Sequence, residues 1–224
     1  MTYLRFVWLH LAKDLRLEWR SRDAINGMLF FSLLVVVLFS FAFDPTAAVS
    51  RQIAGGILWV ALLFASTTAL NQTWTRELRN QGLDAQRLAP APASALLLGK
   101  TLANFLFVTV IQIILAPLFI IFYNLHALGQ GWLLFLVLPL GTWALVMNGT
   151  FFAALGLRTR NRELMLPLIL FPLSIPALLS MVQATTGILV GDPDPVLWIK
   201  LLAGYCIIFT VVCLLMFETV LAAE

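Results

Sequence analysis

Along this chain the apolar positions come in long unbroken runs separated by short polar breaks, rather than singly or in strict alternation. A helix needs about 20 apolar residues to cross a bilayer core of roughly 30 Å. Six runs reach that length: Ala24–Phe43, Ile53–Trp74, Leu96–Tyr123, Trp132–Leu155, Leu164–Thr186 and Val196–Phe217. Before the first of them the pattern changes. Leu4, Trp8, Leu11, Leu15 and Trp19 share one helical stripe while Lys13, Arg16 and Arg20 gather on the other side, which predicts an amphipathic helix lying in the membrane interface. A cleaved signal peptide fits less well, because its polar start would be too long and its apolar run longer than an h-region. The pattern thus predicts an all-α membrane protein, with an interfacial elbow helix at 1–23, one six-helix transmembrane domain at 24–217 and a short tail at 218–224.

Composition supports that reading and charge placement orients it. Of 224 residues 61% are hydrophobic and 11% charged, with a mean hydropathy of +0.96, against about a quarter charged in a soluble domain. Lys and Arg number 14 against 11 Asp and Glu, too small an excess to suggest a nucleic-acid partner. The segment before the first span holds five basic residues (Arg5, Lys13, Arg16, Arg20, Arg22), the second loop four (Arg76, Arg79, Arg87, Lys100) and the fourth three (Arg158, Arg160, Arg162). Loops one and five hold one each, Arg51 and Lys200, and the third holds none. Basic loops stay in the cytoplasm, so both ends of the chain are expected there.

The second loop, residues 75–95, is a polar island between two apolar spans. It carries Arg76, Glu77, Arg79, Asp84 and Arg87 with Gly82, Pro90 and Pro92, and it is longer than a tight helical hairpin needs. Glu77 to Leu88 can make about three helical turns before the prolines force the chain extended. Lys100, just inside the third span, is expected to snorkel to the headgroups. The stretch "SALLLGKT" has Ser94 where a phosphate-binding loop requires its first Gly, and it opens a helix rather than following a strand. A motor of this chain's own is therefore not expected.

The segment "GILWVALLFASTTALNQTWTRELRNQGLDAQRLAPAPASALLLGKTLANF" resembles the CcmB family, the heme exporter B permeases of cytochrome c maturation, within the wider ABC-2 type transporters. The resemblance rests on the order of Glu77, Gly82, Asp84, Leu88, Pro90, Pro92, Gly99 and Lys100, with Asp84 standing where Glu is usual, and on the Pro-rich "LPLILFPLSIPALLS" of the fifth span. It implies an ABC-2 type permease fold and a non-catalytic subunit that forms a homodimer in the inner membrane. It also implies a coupling helix in the 75–95 loop, where Arg76, Glu77, Arg79, Gly82, Asp84 and Arg87 meet a separate cytoplasmic ATPase of the CcmA type. The remaining implied partners are a CcmC-like heme-handling membrane protein, a small CcmD-like subunit and, indirectly, a CcmE-like periplasmic heme chaperone. Heme is the implied cargo, ATP is bound by the partner alone, and no intrinsic cofactor is implied. Two alternatives stand beside it: a scaffold that transports nothing and couples ATP hydrolysis to release of the chaperone, and an ABC-2 permease for another substrate.

Other candidate chemistry is sparse. His126 could serve as an axial heme ligand, although an exposed loop histidine is the plainer reading, and His10 sits in the elbow helix. Cys206 and Cys213 lie seven residues apart on one helix face, too distant to bond, and read as packing residues. Pro167, Pro172 and Pro176 share the fifth span and predict a kinked or broken helix at a gate, with Ser174 and Gln183 satisfying the freed backbone groups. Gln112 and Asn148 are polar within spans and are expected to bridge helices. A membrane enzyme is disfavoured, since intramembrane catalysis needs clustered Asp, Glu or His and the spans carry none.

Overall fold

The computed structural model describes residues 3–43, 48–79, 92–123, 125, 129–156, 162–191 and 194–222, and among these the secondary structure is helical throughout. The elements are α1 (Tyr3–Ser21), α2 (Asp23–Ala42), α3 (Ala48–Arg79), α4 (Ala93–Tyr123), a single 3-10 turn at Gly131–Leu133, α5 (Leu134–Gly156), α6 (Arg162–Val190) and α7 (Val196–Ala222). All but α1 are long and apolar enough to cross a membrane, which makes six spans and a multi-pass protein. The two helices that flank the polar island exceed the apolar runs. At about 1.5 Å per residue, the 32 residues of α3 and the 31 of α4 extend well beyond a roughly 30 Å core.

At the centre of the bundle α3 packs against α2, α4, α5 and α6, while α5 leans on α6 and α7. Close crossings are made by glycine. A Cβ on Gly55 would lie 2.7 Å from Thr186 Oγ1, and one on Gly141 only 2.3 Å from the Trp59 ring, so small residues set the spacing as they do between membrane helices generally. Polar atoms in the interior are paired across helices: Trp59 Nε1 donates to Thr185 Oγ1 at 2.9 Å and Trp74 Nε1 to the Thr150 carbonyl at 2.9 Å. Asn148 bridges α5 to α7, its Nδ2 donating to Tyr205 Oη at 2.6 Å, as the sequence predicts.

The Pro-rich span differs from expectation. Helix α6 runs without interruption from Arg162 to Val190 through all three prolines, so it is not broken. The carbonyl that Pro176 deprives of its amide partner is that of Pro172, and beside it Tyr205 Oη of α7 donates to the Leu173 carbonyl at 3.0 Å. Ser174, expected to satisfy a freed backbone group, is wholly buried and its hydroxyl has no hydrogen-bond partner among the described residues, and Gln183 faces outward. Gln112 is buried too, and its amide nitrogen finds no partner among the described residues, so that end of the side chain does not bridge helices. Cys206 and Cys213 are free and buried, as their spacing predicts.

Candidate functional site

The elbow helix α1 has two working faces. Val7, Leu11, Asp14 and Glu18, spaced four, three and four apart, fall within about 60° of one another on a helix turning 100° per residue, and all four are buried. This face packs on α4, with Asp14 reaching Lys100 of α4 and Glu18 reaching Arg76 of α3. Leu4, Trp8 and Trp19 stand 65–76% exposed. In a membrane protein such a stripe faces lipid. The apolar stripe read from the sequence therefore divides, Leu11 going to the protein and the tryptophans outward.

Lys100 is where expectation and structure part most clearly. Its side chain does not snorkel; the residue is 0% exposed. Its Nζ donates to Asp14 Oδ2 of α1 at 3.0 Å and to Glu77 Oε1 of α3 at 2.7 Å, and lies 5.0 Å from the centre of the Trp74 ring. A buried ammonium needs this much, since leaving water costs several kcal/mol that only close, well-aligned partners offset. Lys13 joins from α1, pairing with Glu77 and lying 3.6 Å from Asp14. Gly99 makes room, because a Cβ there would come within 2.5 Å of His10 Cβ and 2.9 Å of the Val7 carbonyl oxygen. The adjacent Gly and Lys of the family pattern are thus a socket and a pin for the elbow helix.

A second joint lies one turn further along α1. Glu18 Oε2 accepts from Arg76 Nη1 of α3 at 2.6 Å, and its Oε1 accepts from the backbone amides of Ala24 and Ile25 at 2.8 and 3.1 Å. Those amides open α2, whose N-cap position is held by Arg22 in the left-handed region (φ 58°) with no capping side chain. Glu18 supplies the missing cap from the preceding helix, where a carboxylate also suits the helix dipole. Arg76 also lies 3.7 Å from Asp23. Between the two joints Asp14, Glu18, Thr73, Arg76, Glu77 and Asn104, with Leu17 and Phe107, line a partly open cavity of about 30 Å³, room for one water molecule.

Of the coupling candidates, Arg76 and Glu77 lie in the last turns of α3 and are directed at the elbow. Arg79 is the last residue of α3, and Gly82, Asp84, Arg87 and His126 lie outside the described residues. Asp14 and Glu18 are functional residues the sequence reading passed over. Their spacing of four, on the face that also carries Val7 and Leu11, was the available signal.

His10 borders the same cluster. Burial, then the positive charges of Lys13 and Lys100, hold its imidazole below the usual value of 6.5, against the opposing pull of Asp14 and Glu77.

Six helices of spanning length, with α1 before them and the ends of two long helices converging on a buried ion cluster, fit a multi-pass membrane permease. The chain belongs to the CcmB protein family, whose model matches residues 5–223. It is similar to the heme exporter protein B of Rhodobacter capsulatus, 36% identical over 169 residues that cover 75% of this chain and 77% of the relative. The heme exporter protein B of Pseudomonas aeruginosa is 31% identical over 204 residues, covering 90% and 91%, and that of Paracoccus denitrificans 33% over 184 residues, covering 82% and 84%.

Proposed function

We propose that this chain is the permease subunit of an ATP-driven complex that handles or exports heme during c-type cytochrome biogenesis in the inner membrane, and that the 75–95 hairpin receives the stroke of a separate cytoplasmic ATPase. Family membership and the names of its relatives support the heme assignment. The observation that carries the mechanical part is the ion pair between Glu77 and Lys100, 2.7 Å across the hairpin's two legs. A push on residues 80–91 is then delivered to α3 and α4 together, because legs joined by a buried pair resist splaying. Two copies of the chain with two ATP-binding subunits form the complex under this reading, alongside the CcmC-like, CcmD-like and CcmE-like components.

The test is a reconstituted complex of permease and ATPase. Arg87→Glu is expected to abolish permease-dependent stimulation of ATP hydrolysis while the variant still assembles in the membrane. Undiminished stimulation would remove the hairpin from the coupling route.

A further inference from the structure

The elbow helix is joined to the hairpin legs more firmly than an interfacial anchor requires. An anchor needs an apolar stripe and a basic flank, and α1 has both in Leu4, Trp8 and Trp19 with the exposed Arg5, Arg16 and Arg20. It needs no buried acids. Yet the face next to that stripe carries Asp14 and Glu18, one turn apart and both buried, each bound to a cation from a different leg of the hairpin: Asp14 to Lys100 of α4 and Glu18 to Arg76 of α3. Glu18 further holds the amides that start α2. Buried charges are costly, and ion pairs of this kind confer a defined geometry more dependably than they confer stability.

Resting on the coupling role of the hairpin set out above, we propose that Lys100 and Gly99 position the elbow helix as a third arm of the lever, so that α1 moves with the feet of α3 and α4 and carries the stroke to α2. Lys100 is the pin because, coming from α4, it touches Asp14 of α1 and Glu77 of α3, the same two acids that Lys13 reaches from within α1. Gly99 is the socket because any side chain there meets the α1 backbone and His10. Arg76 and Glu18 then pass the movement on, since the carboxylate that α3 grips is also the cap of α2.

The proposal separates charge from shape, and so does its test. Lys100→Met removes the charge and keeps a linear stem, leaving Asp14 and Glu77 buried beside each other. Gly99→Leu leaves every charge in place and obstructs the socket. In nanodiscs holding the permease alone, hydrogen exchange of the α1 amides is expected to accelerate roughly a hundred- to a thousandfold in Lys100→Met, the scale of removing one partner of a buried pair, and to accelerate in Gly99→Leu as well. The triple variant Asp14→Asn, Glu77→Gln, Lys100→Met removes Lys100 together with both of its acids, leaving only the part-exposed Lys13 of that group charged, and is expected to restore slow exchange, which shows that Lys100→Met had not simply failed to fold. In the reconstituted complex Lys100→Met and Gly99→Leu are both expected to lose stimulated ATP hydrolysis. Slow α1 exchange in both single variants would overturn the docking role. Fast exchange with full stimulation would overturn the elbow's part in coupling while Arg87→Glu still uncouples, whereas an inert Arg87→Glu would instead undo the function on which this inference rests.

Discussion

Glu18 joins three chain segments through one carboxylate, belonging to α1, pairing with Arg76 of α3 and capping α2 at Ala24 and Ile25. Glu18→Ala leaves a guanidinium without its partner and two amides without their cap, and is expected to cost about 3 kcal/mol. Glu18→Gln keeps an acceptor for the amides and loses only the charge, so its cost is expected near half of that, roughly 1.5 kcal/mol. Denaturant titration of the purified protein in mixed micelles gives both values, and equal losses would mean that the ion pair rather than the cap is what matters. His10 adds a pH dependence of definite sign. The docked helix holds the imidazole below 6.5, so as pH falls the undocked state takes up the proton first and docking weakens from about pH 6.5 downward, with no effect above it. Melting curves between pH 5 and 8 are expected to show this loss in the native protein and to flatten in His10→Gln.

At the level of helices, the apolar runs revealed the six spans because the bilayer sets a minimum length that few other structures satisfy, and each predicted run lies inside an observed α-helix apart from Phe43 at one end and Trp132 and Leu133, which form part of the 3-10 turn. What was hidden concerns the facing of helices. On a soluble surface the most apolar stripe of α1 would be the buried one, but lipid competes for that stripe, and the face that docks on protein is the one whose charges find partners. Lys100 looked like a snorkelling lysine because its partners lie 86 and 23 residues away in sequence and nothing local reveals them. The same blindness applies to α6, where the prolines announce missing donors but only the folded bundle reveals that Tyr205 of α7 donates to Leu173, the carbonyl next to the one Pro176 frees. Tyr205→Phe removes that bond and also the acceptor for Asn148. Two interhelical bonds of this kind amount to about 1–2 kcal/mol. A double-mutant cycle with Asn148→Ala is expected to be non-additive, since both changes break the Asn148–Tyr205 bond, whereas strict additivity would show that the two side chains act separately.

For the whole molecule the decisive quantity is direction. An even number of spans places the elbow helix, the hairpin between α3 and α4 and the end of α7 on one face, with the neutral loop at 124–130 on the other. Lys and Arg are retained on the cytoplasmic side during insertion, and the segment before α2 together with the hairpin's Arg76, Arg79, Arg87 and Lys100 outweighs anything opposite. Lys100, wholly buried, still counts, because topology is chosen before its acids have folded around it. A lever driven by cytoplasmic ATP is useful only in this orientation. The chain offers a clean way to check it, since its two cysteines, Cys206 and Cys213, are buried and leave little background for a thiol reagent. In intact cells an impermeant maleimide is expected to label His126→Cys and to spare Arg87→Cys, and in inverted membrane vesicles the preference is expected to reverse. Labelling of Arg87→Cys from outside would turn the elbow, the ion cluster and the hairpin away from any ATPase, and no rearrangement of side chains could then restore the coupling.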